Sequence, residues 1–170
     1  MFNHIRQDLK NYHGDWAAQG FWVLMVYRFG RWRYTINNVF FRKICSFLYK
    51  FLYKLVQILT GIEMPCEAKV GENFLIDHFG GIVISGYAKF GDNCRIRNGV
   101  VVGLKNVNEP CAPQIGNNVD IGAGAKLLGN IKIGSNVSIG ANSVVLTDVP
   151  DNSIAVGVPA VIKTKKVALT

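Results

Sequence analysis

Acidic residues are scarce in this chain: 11 Asp and Glu face 19 Lys and Arg over 170 residues, a formal net charge of +8. That balance suits an anionic partner, such as a phosphorylated cofactor, an acidic glycan, a membrane surface or nucleic acid, and does not choose among them. Paired cysteines are missing too. Cys45, Cys66, Cys94 and Cys111 stand far apart with no CxxC, which argues against a zinc knuckle and a disulfide framework. Histidine is limited to His4, His13 and His78. Charged residues make up 18% against 49% hydrophobic, which fits neither a disordered chain nor an obviously membrane-spanning one. A polar, charged stretch rather than an apolar leader follows Met1, so a cytoplasmic, reduced protein is expected. The basic residues are dispersed and form no recognised nucleic-acid motif.

What the chain does have is a six-residue beat. An apolar residue returns at Val70 and Ile76, slips by two, and continues at Ile84, Phe90, Ile96 and Val102. After one break it resumes at Ile115, Ile121, Leu127, Ile133, Ile139 and Val145. Four residues on, a small or β-branched residue recurs, as at Ala88, Cys94, Val100, Val119, Ala125, Ile131, Val137 and Ser143. This period is the signature of a hexapeptide β-helix. The expected fold is mainly β: a parallel β-helix over 62–162, preceded by an α-helical segment over 1–61 and followed by a frayed tail over 163–170. Eighteen residues close one triangular coil of three short strands, stacked at about 4.8 Å.

The first sixty residues hold all three tryptophans and carry no such beat. Their patterning predicts two helices, 17–36 and 39–59, the second ended by Gly61. In the second helix Lys43, Ser46, Lys50, Lys54 and Gln57 share one stripe and leave a broad apolar face. Arg42, Lys43, Lys50 and Lys54 argue against a buried span. Two readings stay open for it: a packing helix that caps the repeats or binds a sister subunit, and an amphipathic helix on an anionic membrane.

A regular prism offers no cleft, so chemistry is expected where the beat breaks. The first break is Ile76 to Ile84, with two inserted residues and the only histidine of the repeats, His78. The second is Gly103 to Gln114.

Three stretches carry a resemblance: Ile76-Asp77-His78 with Gly81-Ile82-Val83-Ile84, then Gly122 to Asn130, then Ala155 to Ala160. With Gly20-Phe21, Leu24, Tyr27-Arg28 and Trp32 upstream, the chain resembles the hexapeptide-repeat acetyltransferases of the serine acetyltransferase-like group over about 20–162. The resemblance implies a left-handed β-helix, against the general right-handed rule for crossovers. It also implies a homotrimer with sites between adjacent subunits and acetyl-CoA as donor, with no metal. A carbonic anhydrase on this fold would need three histidine ligands, and the repeats hold one.

On this reading His78 is the general base that takes a proton from an acceptor hydroxyl as it attacks the thioester. A carboxylate orients its ring, with Glu63 at the family's acidic position and Asp77 as second candidate. Gly103 and Leu104 fit the family position of the amide facing the thioester. Gly122, Ala123, Ala125, Gly140 and Ala141 would line the pantetheine groove, and Lys126, Lys163 and Lys165 would meet the phosphates. Direct transfer is preferred to an acyl-enzyme, for which Cys66 is the remaining candidate.

True serine acetyltransferases carry an Arg-His pair in the second loop that grips the amino-acid carboxylate. Here Cys111 and Ala112 stand at those positions. The expected acceptor is therefore a sugar hydroxyl or glycan of surface polysaccharide synthesis, with peripheral membrane contact at the inner face. Serine O-acetylation in cysteine biosynthesis is the alternative, and a non-catalytic β-helix binding module is the non-enzymatic one.

Overall fold

The structure of the protein, a computed structural model, describes residues 2–165. Three helices come first: α1 (Phe2–Asn11), α2 (Gln19–Trp32), extended by a 3-10 turn over Arg33–Thr35, and α3 (Val39–Thr60). α1 was not expected from the sequence. It buries a single residue, Asp8, whose carboxylate sits 3.0 Å from Arg28 of α2. α1 is docked chiefly by polar contacts, this ion pair and the Gln7 and Asn11 bonds to Asn73, which leave little apolar stripe to read. α3 starts where Asn38 accepts a hydrogen bond from the Phe41 N–H at 3.0 Å. It ends at Gly61, whose φ of 65° is the left-handed cap that glycine adopts without strain.

The strands follow as β1 (Ile62–Glu63), β2 (Leu75–Asp77), β3 (Ile82–Ile84), β4 (Lys89–Phe90), β5 (Arg95–Arg97) and β6 (Val101–Gly103). After the second break come β7 (Gln114–Ile115), β8 (Asp120–Ile121), β9 (Lys126–Leu128), β10 (Lys132–Ile133), β11 (Ser138–Ile139) and β12 (Val144–Val145), then β13 (Ser153–Val156) and β14 (Val161–Thr164). They form three faces of a parallel β-solenoid. The first face is β1-β3-β6-β9-β12, the second β10-β7-β4, and the third β14-β13-β11-β8-β5-β2. Every pairing is parallel except β14, which turns back antiparallel on β13, with Lys163 opposite Ile154. Lys163 and Thr164 therefore belong to a paired strand, not to a frayed tail. Residues 166–170, with the Val-Ala-Leu-Thr ending, lie outside the described residues.

The beat residues point inward because a period of six returns each residue to the same side of a face. From Ile76 to Val145 every one of them is buried, and so are all eight small positions, with Ala125, Val137, Cys94 and Ser143 fully enclosed. Burial pushes the Cys94 thiol up to about 11.

The first coil has no coil beneath it, so its backbone edge needs other partners. Tyrosines of the helices supply them. The Tyr12 hydroxyl donates to the Ile76 carbonyl at 3.2 Å and accepts from the Ile76 N–H at 3.0 Å. The Tyr27 hydroxyl donates to the Ala68 carbonyl and accepts from the Val70 N–H. The Tyr49 hydroxyl accepts from the Cys66 N–H at 3.0 Å. Burial raises all three phenols above their ordinary value, which keeps them neutral and able to donate.

Candidate active site

His78 opens the turn from the third face to the first. In the later coils this corner is tight, with Gly99, Gly124 and Asn142 in the left-handed region above Gly81. A Cβ placed on Gly81 would stand 3.5 Å from the Gly99 Cα, and one on Gly99 would stand 3.3 Å from the Gly124 Cα. The corner is thus a column of near-bare backbone. The two inserted residues swell its first layer, and His78 itself takes φ 60°. A left-handed residue with a Cβ costs about 1 kcal/mol, which marks an excursion held by its surroundings. Those surroundings are visible beneath it, where a Cβ on Gly61 would stand 3.3 Å from the Gly80 Cα. The start of β1, and with it Glu63, is therefore stacked under the His78 loop.

The exposed His78 lines one cleft, and a second opens on the adjoining first face. One, of about 290 Å³, is lined by Tyr12, Gln19, Gly20, Ile76, Asp77 and His78. Gly20 lets α2 press on β2 here, since a Cβ on it would stand 2.5 Å from the Ile76 carbonyl oxygen. The other cleft, of about 400 Å³, runs along the first face from Glu63 past Val83 and Val101 to Gly103, Leu104 and Leu128. The two clefts lie on the two faces that meet at the His78 turn.

The candidate residues do not all converge. The Asp77 carboxylate lies 3.2 Å from Arg95 Nε on β5, so it is engaged away from His78. The Glu63 carboxylate accepts from Gln57 Nε2 at 3.2 Å. Among the described residues neither carboxylate is hydrogen-bonded to His78. Gly103 has open space where a Cβ would stand, and the Leu104 N–H donates to no acceptor among the described residues. Both face the cleft that begins at Glu63.

Gly122, Ala123, Gly140 and Ala141 lie along the bare corner, farther up the stack from His78. Gly122 has a structural role there, because a Cβ on it would stand 2.5 Å from the Ala141 N. Ala125 differs from expectation: its methyl faces the core and is fully buried, so it lines no groove. Lys126 is tied down, its Nζ donating to the Gly99 carbonyl. Lys165 also differs, since its Nζ donates to the Asn136 carbonyl at 2.7 Å, at the opposite corner of the third face. Lys163 is exposed on β14 of that face. The three lysines therefore sit at three separate places in one chain. Cys66 is fully buried, which removes it as an acyl acceptor. Cys111 and Ala112 lead back into β7, and Ala112 is buried.

The sequence reading missed Tyr12, Gln19 and Arg95. Arg95 had a signal: it occupies an outward position next to Ile96, one coil beyond Leu75, its register partner. A further cavity, of about 610 Å³, reaches Arg95 but not His78. Much of its wall is asparagines that already satisfy one another, so the chemistry is assigned to the smaller clefts.

Known proteins resemble this chain in sequence and in fold. The model of the bacterial transferase hexapeptide (six repeats) matches residues 112–147. A serine acetyltransferase of Synechococcus elongatus is 41% identical over 141 residues, covering 82% of this chain and 55% of that protein. One of Bacillus pumilus is 33% identical over 164 residues, covering 94% of this chain and 76% of that protein. The crystal structure of serine acetyltransferase from Brucella abortus superposes with a TM-score of 0.81 at 30% identity, over 96% of this chain and 69% of that one. The same Brucella protein in complex with coenzyme A gives the same TM-score and identity, covering 96% and 68%.

These relatives overturn the expectation of a sugar O-acetyltransferase of polysaccharide synthesis. Neither Cys111 nor Ala112 carries a charge that could grip a carboxylate, and neither is a positive signal for a sugar. On the combined evidence of repeat, site and relatives, the chain belongs to the serine acetyltransferase family.

Proposed function

We propose that this protein transfers the acetyl group of acetyl-CoA to the hydroxyl of L-serine, with His78 as general base. The observation that carries the reading is the position of His78, the histidine of a swollen corner and part of the wall of the cleft beside Asp77, in a chain whose relatives are serine acetyltransferases. The serine hydroxyl approaches from the Asp77 side and the thioester from the Gly103 side. His78 accepts the hydroxyl proton as the oxygen attacks the thioester carbonyl. The oxyanion is met by the Leu104 N–H, which is otherwise without an acceptor among the described residues. Collapse breaks the C–S bond, and the proton passes from His78 to the departing thiolate, giving O-acetylserine and free CoA.

The Asp77–Arg95 pair suits the zwitterion. The carboxylate of Asp77 takes the serine ammonium, and the guanidinium of Arg95 takes its carboxylate in place of the missing loop arginine. Glu63 turns from Gln57 to orient the imidazole, since Asp77 is engaged by Arg95. Coenzyme A lies along the bare corner toward Gly122 and Gly140, where the lack of side chains admits a close backbone approach; the Brucella relative, described with coenzyme A, supports that donor. A sister copy walls the open clefts, as a homotrimer would, because a thioester exposed to water hydrolyses.

The test is thiol release from acetyl-CoA with L-serine as acceptor, against a panel of hexoses and an acceptor-free control. Release with L-serine well above the control is expected. Release with a hexose and none with L-serine overturns the proposal.

A further inference from the structure

The outer face of α3 has no partner among the described residues. The helix buries Cys45, Tyr49 and Thr60 on one side, against α2 and the start of β1. On the other side Phe40 is 75% exposed, Phe47 77%, Phe51 61% and Ile58 71%. These four recur at helical spacing, so they form one stripe along the helix, which runs about 33 Å at 1.5 Å per residue. Lys43, Lys50 and Lys54 line one margin of that stripe at positions i, i+7 and i+11, and Arg42 adds a fourth cation. No Asp or Glu occurs anywhere in α3. No helix among the described residues is long and apolar enough to cross a membrane.

We infer that α3 docks this protein on an anionic phospholipid surface, lying in the plane of the interface. An exposed aromatic stripe can enter the acyl boundary while the marginal lysines reach back to the lipid phosphates. The charge pattern selects this occupant. A second copy packed face to face would bring two sets of three lysines together with no acid on either helix, whereas an anionic headgroup layer neutralises them. The C-terminal end of α3 lies beneath the His78 loop through Gly61 and Gly80, so a docked helix also holds the acetyl-transfer corner near the surface.

The experiment is flotation of the full-length protein with vesicles of phosphatidylcholine alone or mixed equally with phosphatidylglycerol. Wild type is expected to float with the mixed vesicles at low salt, and not with phosphatidylcholine alone. F47E with F51E is expected to reduce the floated fraction about tenfold or more. Lys43→Gln, Lys50→Gln and Lys54→Gln together are expected to reduce it about tenfold and abolish its salt dependence. Acetyl transfer in lipid-free solution stays at the wild-type level in both variants, which shows that they fold. Wild type left at the bottom with mixed vesicles overturns the inference, as does a Phe47/Phe51 variant that floats fully. Sedimentation without lipid in which that variant drops to a smaller assembly assigns the face to a second copy and also overturns it.

Discussion

The two corners that flank the third face share one backbone conformation and differ in what stands on it. At the corner entering the face, Asn73, Asn93, Asn118, Asn136 and Asn152 all take positive φ. Their side chains bond one another from coil to coil at 2.9 to 3.1 Å, and Gln7 and Asn11 of α1 cap the first of them. At the corner leaving the face, Gly81, Gly99 and Gly124 take the same conformation with no side chain at all. The asparagine corner uses its polar groups to tie the stack together and has little left to offer a ligand. The glycine corner leaves its backbone bare up to Gly124, where Asn142 closes the column, and its first layer carries His78 and Phe79. On the proposed function, stacking and catalysis are thus divided between two edges of one prism.

That division can be strained from either side. The largest effect is expected from placing a side chain in the bare corner. Gly122→Ala drives a Cβ into the Ala141 backbone and should lower unfolding stability by about 3 kcal/mol, read from urea unfolding midpoints. On the other edge, Asn118→Ala removes a donor and an acceptor from the middle of the ladder and strains φ 56°. It should cost about 2 kcal/mol, with Asn118→Gly recovering the backbone part. Acetyl transfer per folded molecule should stay at the wild-type level, and a loss of turnover in Asn118→Gly would give the ladder a share in the chemistry.

Arg95→Ala tests the face between the corners. It should raise the KM for L-serine about tenfold and leave kcat within about twofold, because it removes binding shared by ground and transition states. A fall in kcat with unchanged KM would assign Arg95 to the reacting centre instead.

The smallest effect lies in the helical cap. Burial raises the phenols of Tyr12, Tyr27 and Tyr49, and that of Tyr53 to about 12. A raised folded value means that the native state holds the proton more tightly than the unfolded chain, whose phenols titrate near 10. The Tyr53 contribution is therefore whole below pH 10 and lost between pH 10 and about 12. Stability measured by denaturant should fall over that window, and less steeply in Tyr53→Phe. The asparagine ladder carries no titrating group, so a decline already under way at pH 8 would point to a different origin.

Much of the solenoid was legible because its rule is local. Each inward position repeats after six residues, and residues as unlike as Cys94, Ser143 and Val137 all sit inside as the period requires. His78 was legible as the lone histidine in a broken hexad. The helical cap was less so. α1 is held by Asp8–Arg28 and by the Tyr12 hydroxyl, contacts made with residues far along the chain. Ala125 and Lys165 were misplaced for a related reason. Their neighbours in sequence lie at a corner, but inward alternation turns Ala125 to the core, and the reversal at β14 carries Lys165 to the asparagine edge. The acceptor was misread from Cys111 and Ala112, because a missing grip does not show where another cation stands. Arg95 reaches Asp77 through the stacking of coils, and linear sequence leaves that stacking implicit.

The most direct test compares steady-state CoA release with L-serine by wild type and by His78→Ala, with thermal melting of both. The expected result is a loss of about a thousandfold or more in turnover with an unchanged melt, as removal of a general base on an exposed corner requires. A variant that melts like wild type and keeps its rate would contradict the assignment of the chemistry to the broken corner.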